Sequence, residues 1–465
     1  MREFRDLGPL AGLPSEWFLV LQRFSFNEPL LPNLKTFDLW HTKETSIPFI
    51  PLFLSPVTTY IDIRFKKSHH LPKVVASIIA IFSARCPNLQ HICLRDLPRD
   101  PMITAVVSEL LLTANRNTLR TFYVDSPLTE VAREVVHRLP DLHGLMVVIE
   151  RGALLPSLVL PSLTDLTVRY DHDNDCLEMF HGATLGKLES VEFIPGSEQI
   201  GDFLGTFERV ALAVSAQDTL LEFHLPASCS WNPTFFSLLS FTQMRVLYIV
   251  FNCVGGCSST VDDDVIINLA RAMSKLESLV LGDTPCRRVH TGVTAKGLVA
   301  LAHHCPNLSA LCVHIKVVSL IIPPATIGMA PNAEPTALRR DSALEDLAVG
   351  KIPMPDQSVL MVAVTLGRIF PRIENIEGTH EGWRKVEDAI RLSREIVDCS
   401  SKQPLLVISS RAPPQAPRSR LVGKRSEGTA LTFQQLLPLS RGTELAFSWP
   451  TLFYVQHEML TNPCN

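Results

Sequence analysis

One short pattern, apolar-x-x-apolar-x-apolar, recurs along most of this 465-residue chain. It reads Leu34-Phe37-Leu39, Leu89-Ile92-Leu94, Leu119-Phe122-Val124, Leu142-Leu145-Val147 and Leu163-Leu166-Val168. It continues as Leu188-Val191-Phe193, Leu220-Phe223-Leu225, Met244-Leu247-Ile249, Leu276-Leu279-Leu281, Leu308-Leu311-Val313 and Leu344-Leu347-Val349. Thr58-Ile61-Ile63 and Ile373-Ile376 are weaker copies. Even repetition at such a period points to one array of stacked units rather than several compact domains.

Each copy has the pattern of a short strand. Positions four and six point to one face, and the first apolar residue packs on the turn that enters the strand. Parallel strands need return segments, and the gaps hold helical patterns over Lys73 to Arg85, Asp262 to Met273, Thr291 to His304 and Asp356 to Phe370. Pro87, Pro306 and Pro371 mark helix ends just before strands. The sequence therefore predicts an α/β leucine-rich-repeat solenoid with irregular repeats of about 21–36 residues, parallel strands on its concave face and helices on its convex face. The hydrophobic content of 46% supplies its core.

Two junctions, Cys86-Pro87-Asn88-Leu89 and Cys305-Pro306-Asn307-Leu308, look like the helix-to-strand step of F-box-associated leucine-rich repeats. Leu298 to His304 and Ile369-Phe370-Pro371-Arg372-Ile373 look similar. The chain thus resembles fungal F-box and leucine-rich-repeat proteins over about Leu30 to Asp398. The resemblance implies the substrate-recognition part of an SCF-type ubiquitin ligase. There are two departures. Of the Asn or Cys expected eight residues after the first Leu, only Asn252 is present; Thr42, Leu97, Pro127, Asp171 and Lys316 stand elsewhere. Leu13-Pro14-Ser15-Glu16 resembles the opening of an F-box, but the stretch from Leu13 to Leu34 is too short for one. A cullin-linked adaptor is accordingly expected as a partner only if an F-box lies upstream.

Residues 1–29 read as a cap or degenerate repeat and 30–398 as the solenoid, with a Pro-rich loop inserted at about 321–340. Residues 399–465 read as a basic, Pro-rich linker and tail, expected to be partly disordered. The run Arg411, Arg418, Arg420, Lys424 and Arg425 reads as a solvated tail, with nuclear import as the alternative. The net charge of −4 argues against a nucleic-acid partner, and no stretch reads as a membrane span. The N-terminus lacks the pattern of a secretory signal. A cytoplasmic or nuclear protein with reduced cysteines is expected.

Cys253, Cys257, Cys286 and His290 could form a tetrahedral zinc set, because zinc takes thiolates and imidazoles and these pairs follow consecutive strands. Loop or buried cysteines are the plainer reading, and no metal or cofactor is assigned. The alternative function is an adaptor unrelated to ubiquitin, or a zinc-stabilised binding protein. Asp171-x-Asp173-x-Asp175 fails as a calcium loop at Cys176 and Gly182. Asp262-Asp263-Asp264 reads as helix capping. No phosphate loop, nucleophile elbow or metalloprotease motif occurs, so a non-enzymatic scaffold is expected.

Positions three, five and seven of the motif face the concave side. They hold Trp40, Tyr60, Arg64, His91, Arg95, Tyr123, Arg169, Glu192, Tyr248 and His314. Three of the chain's 5 tyrosines fall there. Tyr, Trp and Arg dominate protein recognition, so a protein partner, such as a ubiquitination substrate, is expected on this face.

Overall fold

The computed structural model describes residues 3–4, 19–20, 23, 28–42, 47–65, 72–113, 118–150, 159–171, 185, 187–195, 220–227, 238–251, 261–282, 292–320, 342–349, 353–378 and 380–402. The side chains of 3–4, 40–42, 225–227, 250–251 and 396–402 are not described. Among the described residues, fourteen strands form one sheet in chain order. They are β1 (Glu3–Phe4), β2 (Thr36–Thr42), β3 (Tyr60–Phe65), β4 (His91–Arg95), β5 (Thr121–Val124), β6 (Gly144–Ile149) and β7 (Asp165–Tyr170). Then follow β8 (Ser190–Pro195), β9 (Glu222–Ala227), β10 (Val246–Phe251), β11 (Ser278–Leu281), β12 (Ala310–Val313), β13 (Asp346–Ala348) and β14 (Asn375–Glu377). Every neighbouring pair is parallel. The fold is the leucine-rich-repeat solenoid that the repeat spacing predicts.

Return segments carry α1 (Pro72–Arg85), α2 (Pro101–Thr113), α3 (Glu130–Val136), α4 (Asp263–Ala272), α5 (Ala295–His304), α6 (Val317–Leu320), α7 (Val359–Ile369) and α8 (Glu381–Lys402). Pro72 and Pro101 open their helices at the first turn, where a missing N–H costs nothing. The helices α2, α3, α6 and α8 escape the sequence reading. In α2 apolar residues run almost without interruption, which masks a helical stripe. In α8 the stripe is reduced to Trp383, Val386 and Ile390 among charges. The helix α8 runs to Lys402. The expected insertion at 321–340 and the tail beyond Lys402 lie outside the described residues.

Register is set by the main chain. The carbonyl at motif position two accepts two N–H groups from the next repeat, those of positions two and three. Thr59 and Tyr60 donate to Lys35, Gln90 and His91 to Thr59, and Arg120 and Thr121 to Gln90. The series continues unbroken to Glu374 and Asn375 on Glu345, with distances of 2.7–3.2 Å. Position four is thereby aligned along the array, through Phe37, Ile61, Ile92, Phe122, Leu145, Leu166, Val191, Phe223 and onward to Ile376. Phe4 pairs with Phe37, which puts β1 in the same register.

Positions one, four and six are buried, and so is a further position three residues before the first. Leu139, Leu160, Leu185, Phe241, Met273, Cys305 and Phe370 occupy it, each 0–2% exposed. Complete burial of such a side chain stabilises by about 1.5–3 kcal/mol. Where the weak copy puts Thr58 at position one, its hydroxyl donates to the Leu34 carbonyl at 2.9 Å, and Ser55 donates to the same oxygen at 3.2 Å. A polar group at a core position is thus satisfied rather than orphaned.

Other side chains also join neighbouring repeats. Leu97, at one of the positions where the repeat consensus expects Asn or Cys, is buried. The Cys305 thiol reaches the carbonyls of Ala270 and Met273 in the preceding repeat at 3.6 and 3.5 Å. The acidic run caps two helices. Asp262 accepts from Val265 N at 3.0 Å in its own helix. Asp263 accepts from Thr294 N at 2.8 Å and Gly297 N at 3.1 Å at the start of α5, and pairs with the Thr294 hydroxyl. Gly297 permits this approach, since a Cβ there would lie 2.6 Å from Asp263 Oδ1.

The last repeat is closed by α8. Trp383 is fully buried, and Gly378 leaves the room it needs, since a Cβ there would lie 2.5 Å from Trp383 Cδ1. Glu387 Oε2 accepts from Ile376 N at 3.1 Å, occupying a donor of β14.

Asp263→Ala is expected to cost about 2 kcal/mol and Asp262→Ala about 1 kcal/mol, because only the former strips capping from a neighbouring repeat. Urea unfolding midpoints check this. Equal or reversed effects would remove Asp263 as an inter-repeat cap.

Candidate functional site

The open face of the sheet carries positions three, five and seven, as the alternating burial of β5, β7 and β8 shows. Local departures occur where position five is itself buried, at Asp62, Cys93, Val280 and Cys312. Register assembles the expected residues into groups. Tyr60 and His91 are cross-strand partners, with ring centroids 5.6 Å apart. Arg64 and Arg95 are also partners. Tyr123 sits beside them on β5, opposite Cys93. Arg169 lies two strands further on, in β7. Tyr248 stands apart on β10, stacked on His224 at 5.4 Å, and His314 stands further away, just after β12. Trp40 lies in β2, with its side chain outside the described residues.

Each arginine on β3, β4 and β7 has a carboxylate. Arg64 Nε donates to Asp96 Oδ2 at 2.7 Å. Arg95 approaches Asp62 Oδ2 at 3.7 Å and donates through Nε to Cys93 Sγ at 3.1 Å. Arg169 reaches back over Val148 to Asp125. The Asp96 carboxylate is presented from a backbone with φ 56°, a left-handed conformation that Asp adopts more readily than most residues.

The rest of the face is partly desolvated. Burial, then the Asp62 charge, pushes the Tyr60 phenol up to about 12. Burial raises Tyr123 as well, followed by the carboxylates of Asp165 and others nearby. Tyr123 leans over β6, where Gly144 makes room: a Cβ there would lie 2.8 Å from Tyr123 Oη. His91, His224 and His314 are lowered, in each case first by burial, and His91 Nδ1 meets Thr121 Oγ1 at 3.0 Å.

Four carboxyls, Asp62, Asp125, Glu192 and Glu222, are raised, all principally by burial. A raised folded value means the fold holds the proton more tightly than the unfolded chain does. Their contribution to stability is therefore full below about pH 4, the ordinary carboxyl range, and is lost as pH rises through the folded values. Above that range the face carries anionic charge that it solvates poorly. Of these, the sequence reading singled out Glu192 alone. The others, with Asp165, His224 and Cys93, were legible as occupants of the same three positions.

The zinc candidates Cys253, Cys257, Cys286 and His290 lie outside the described residues. Among the described residues no group of three or more His, Cys, Asp or Glu is placed to hold a metal, and no helix is long and apolar enough to cross a membrane. Cys86, Cys93, Cys305 and Cys312 are buried and form no disulfide.

Burial pushes Cys86, Cys93 and Cys305 up to about 12. At pH 8 these thiols should resist a thiolate-specific reagent in the native protein and label only on unfolding, read by peptide mass mapping. Native labelling at any of them would contradict this packing. Asp125→Ala should cost about 2–3 kcal/mol by leaving Arg169 half-buried and unpaired. Pairing it with Arg169→Met should recover part of that loss in a double-mutant cycle.

No protein-family model matches this chain, and no curated protein is similar enough to match it. Among solved structures, a crystal structure of a TLR13–ssRNA13 complex aligns at 12% identity with a TM-score of 0.32. The alignment spans 76% of this chain and 47% of that chain, so less than half of the neighbour's length is matched.

Proposed function

We propose that this protein is a non-enzymatic interaction scaffold that binds a protein partner on the open face of its sheet, over β3 to β10. The observation that supports this most directly is the pair of half-buried aromatic groups on this face, Tyr60, His91 and Tyr123 on β3 to β5 and the His224–Tyr248 stack on β9 and β10, with Arg64, Arg95 and Arg169 beside the first. Rigid strands hold them, and the arginines are fixed by ion pairs, so little side-chain entropy remains to be lost on binding. Aromatic and Arg anchors on such a surface typically carry most of the binding energy.

The Cys-Pro-Asn-Leu junctions support a finer reading, in which the scaffold is the substrate-recognition part of an F-box ubiquitin-ligase subunit in the cytoplasm or nucleus. Recovery of a cullin-linked adaptor with the complete gene product tests that part separately.

For the scaffold, a partner captured by the intact protein should bind at least about 10-fold more weakly to Tyr123→Ala and to Arg95→Ala. Affinity unchanged by both variants, with folding intact by circular dichroism, would remove the open face as the site.

A further inference from the structure

The three arginines of β3, β4 and β7 are each committed to a carboxylate of the same face. Asp165, Glu192 and Glu222 then remain, one on each of the consecutive strands β7, β8 and β9. Asp165 accepts from the Thr164 hydroxyl at 2.6 Å, and Glu192 from the Thr167 hydroxyl at 3.4 Å. Among the described residues none of the three has a cation within ion-pair distance. The nearest candidate for Glu222, Arg245, is held bidentately by Glu277 at 2.7 and 2.9 Å. Aromatic rings flank this stretch of the sheet: Tyr123 on one side, and the His224–Tyr248 stack on the other. Neighbouring strands are about 4.8 Å apart, so the three carboxylates step across about 10 Å of sheet.

Resting on the protein-binding reading of the open face, we propose that the partner docks on β5 to β10 with a basic segment, placing Lys or Arg side chains against Asp165, Glu192 and Glu222 and between the flanking tyrosines. Charge complementarity selects this occupant. Carboxylates outnumber arginines on the face, and each arginine is already neutralised. An ammonium or guanidinium group would meet acceptors that form no ion pair among the described residues, the nearby Arg95 and Arg245 being held by Asp62 and Glu277, and the faces of Tyr123 and Tyr248 attract the same groups. A polyphosphate backbone would meet repulsion at the same three positions. Sites two strands apart match basic side chains a few residues apart on one segment, by helical or extended spacing.

The test uses the full chain and two length-matched labelled peptides, one alternating Arg and Lys with Gly and Ser, the other carrying Glu in place of the basic residues. Fluorescence anisotropy should show binding of the basic peptide alone, weakening as salt rises. Asp165→Asn with Glu192→Gln should weaken it 10-fold or more, and Glu222→Gln, at an exposed position, several-fold. Glu277→Gln, at a carboxylate already paired with Arg245, should change it by less than 2-fold. Equal binding of both peptides, or basic-peptide binding insensitive to the Asp165, Glu192 and Glu222 variants, overturns the proposal. If the basic peptide fails to bind while a captured partner still depends on Tyr123 and Arg95, the cationic chemistry falls and the open-face site stands. If the partner is also indifferent to Tyr123 and Arg95, both fall.

Discussion

The array depends on one repeated hydrogen bond, the position-two carbonyl that takes two N–H groups from the strand ahead. It is a main-chain interaction, so it needs no particular side chain. It fixes which residue of one repeat lies beside which residue of the next. Side chains at positions one, four and six then meet their counterparts in the core, and those at three, five and seven line up on the open face. Irregular spacing between repeats leaves this alignment intact, because extra residues are absorbed in the return segments. Apolar burial supplies the energy of the array, and the carbonyl ladder supplies its order.

Much of this is legible in the chain, and the unread parts have definite causes. The strand motif shows because its Leu positions repeat with fixed internal spacing. The fourth buried position, three residues earlier, is equally regular at Leu139, Leu160, Leu185, Phe241, Met273 and Phe370. It hides because Cys86, Cys305 and Ser55 fill it in other repeats. The Cys-Pro-Asn-Leu junction that looks family-specific is one occupant of that structural position. The helices were harder: α2 is apolar on nearly every side, and α8 holds to the array by a thin stripe led by Trp383.

The open face shows the same division. That Tyr60, His91, Tyr123 and Arg169 belong to it follows from position counting alone. Their partners do not. Arg169 passes over Val148 to an aspartate two strands away, and Arg64 finds one just beyond the end of the next strand. Such pairs span 44 and 32 residues of sequence, and only the register reveals them. Aromatic and basic types stand out as anchors in the sequence, whereas the carboxylates beside them do not, because their burial is set by the neighbouring strands.

The closure of β14 by α8 has a consequence for how such a chain could change length. A parallel array offers the same edge after every repeat, and a further strand could in principle be added at the last one. Here Glu387 occupies the Ile376 donor and Trp383 fills the adjoining core. Duplication of a repeat at this end would have to displace a fitted helix, whereas duplication inside the array would meet an identical ladder on both sides. Growth or loss of repeats is therefore easiest in the interior, and the terminal unit is the one the architecture holds constant.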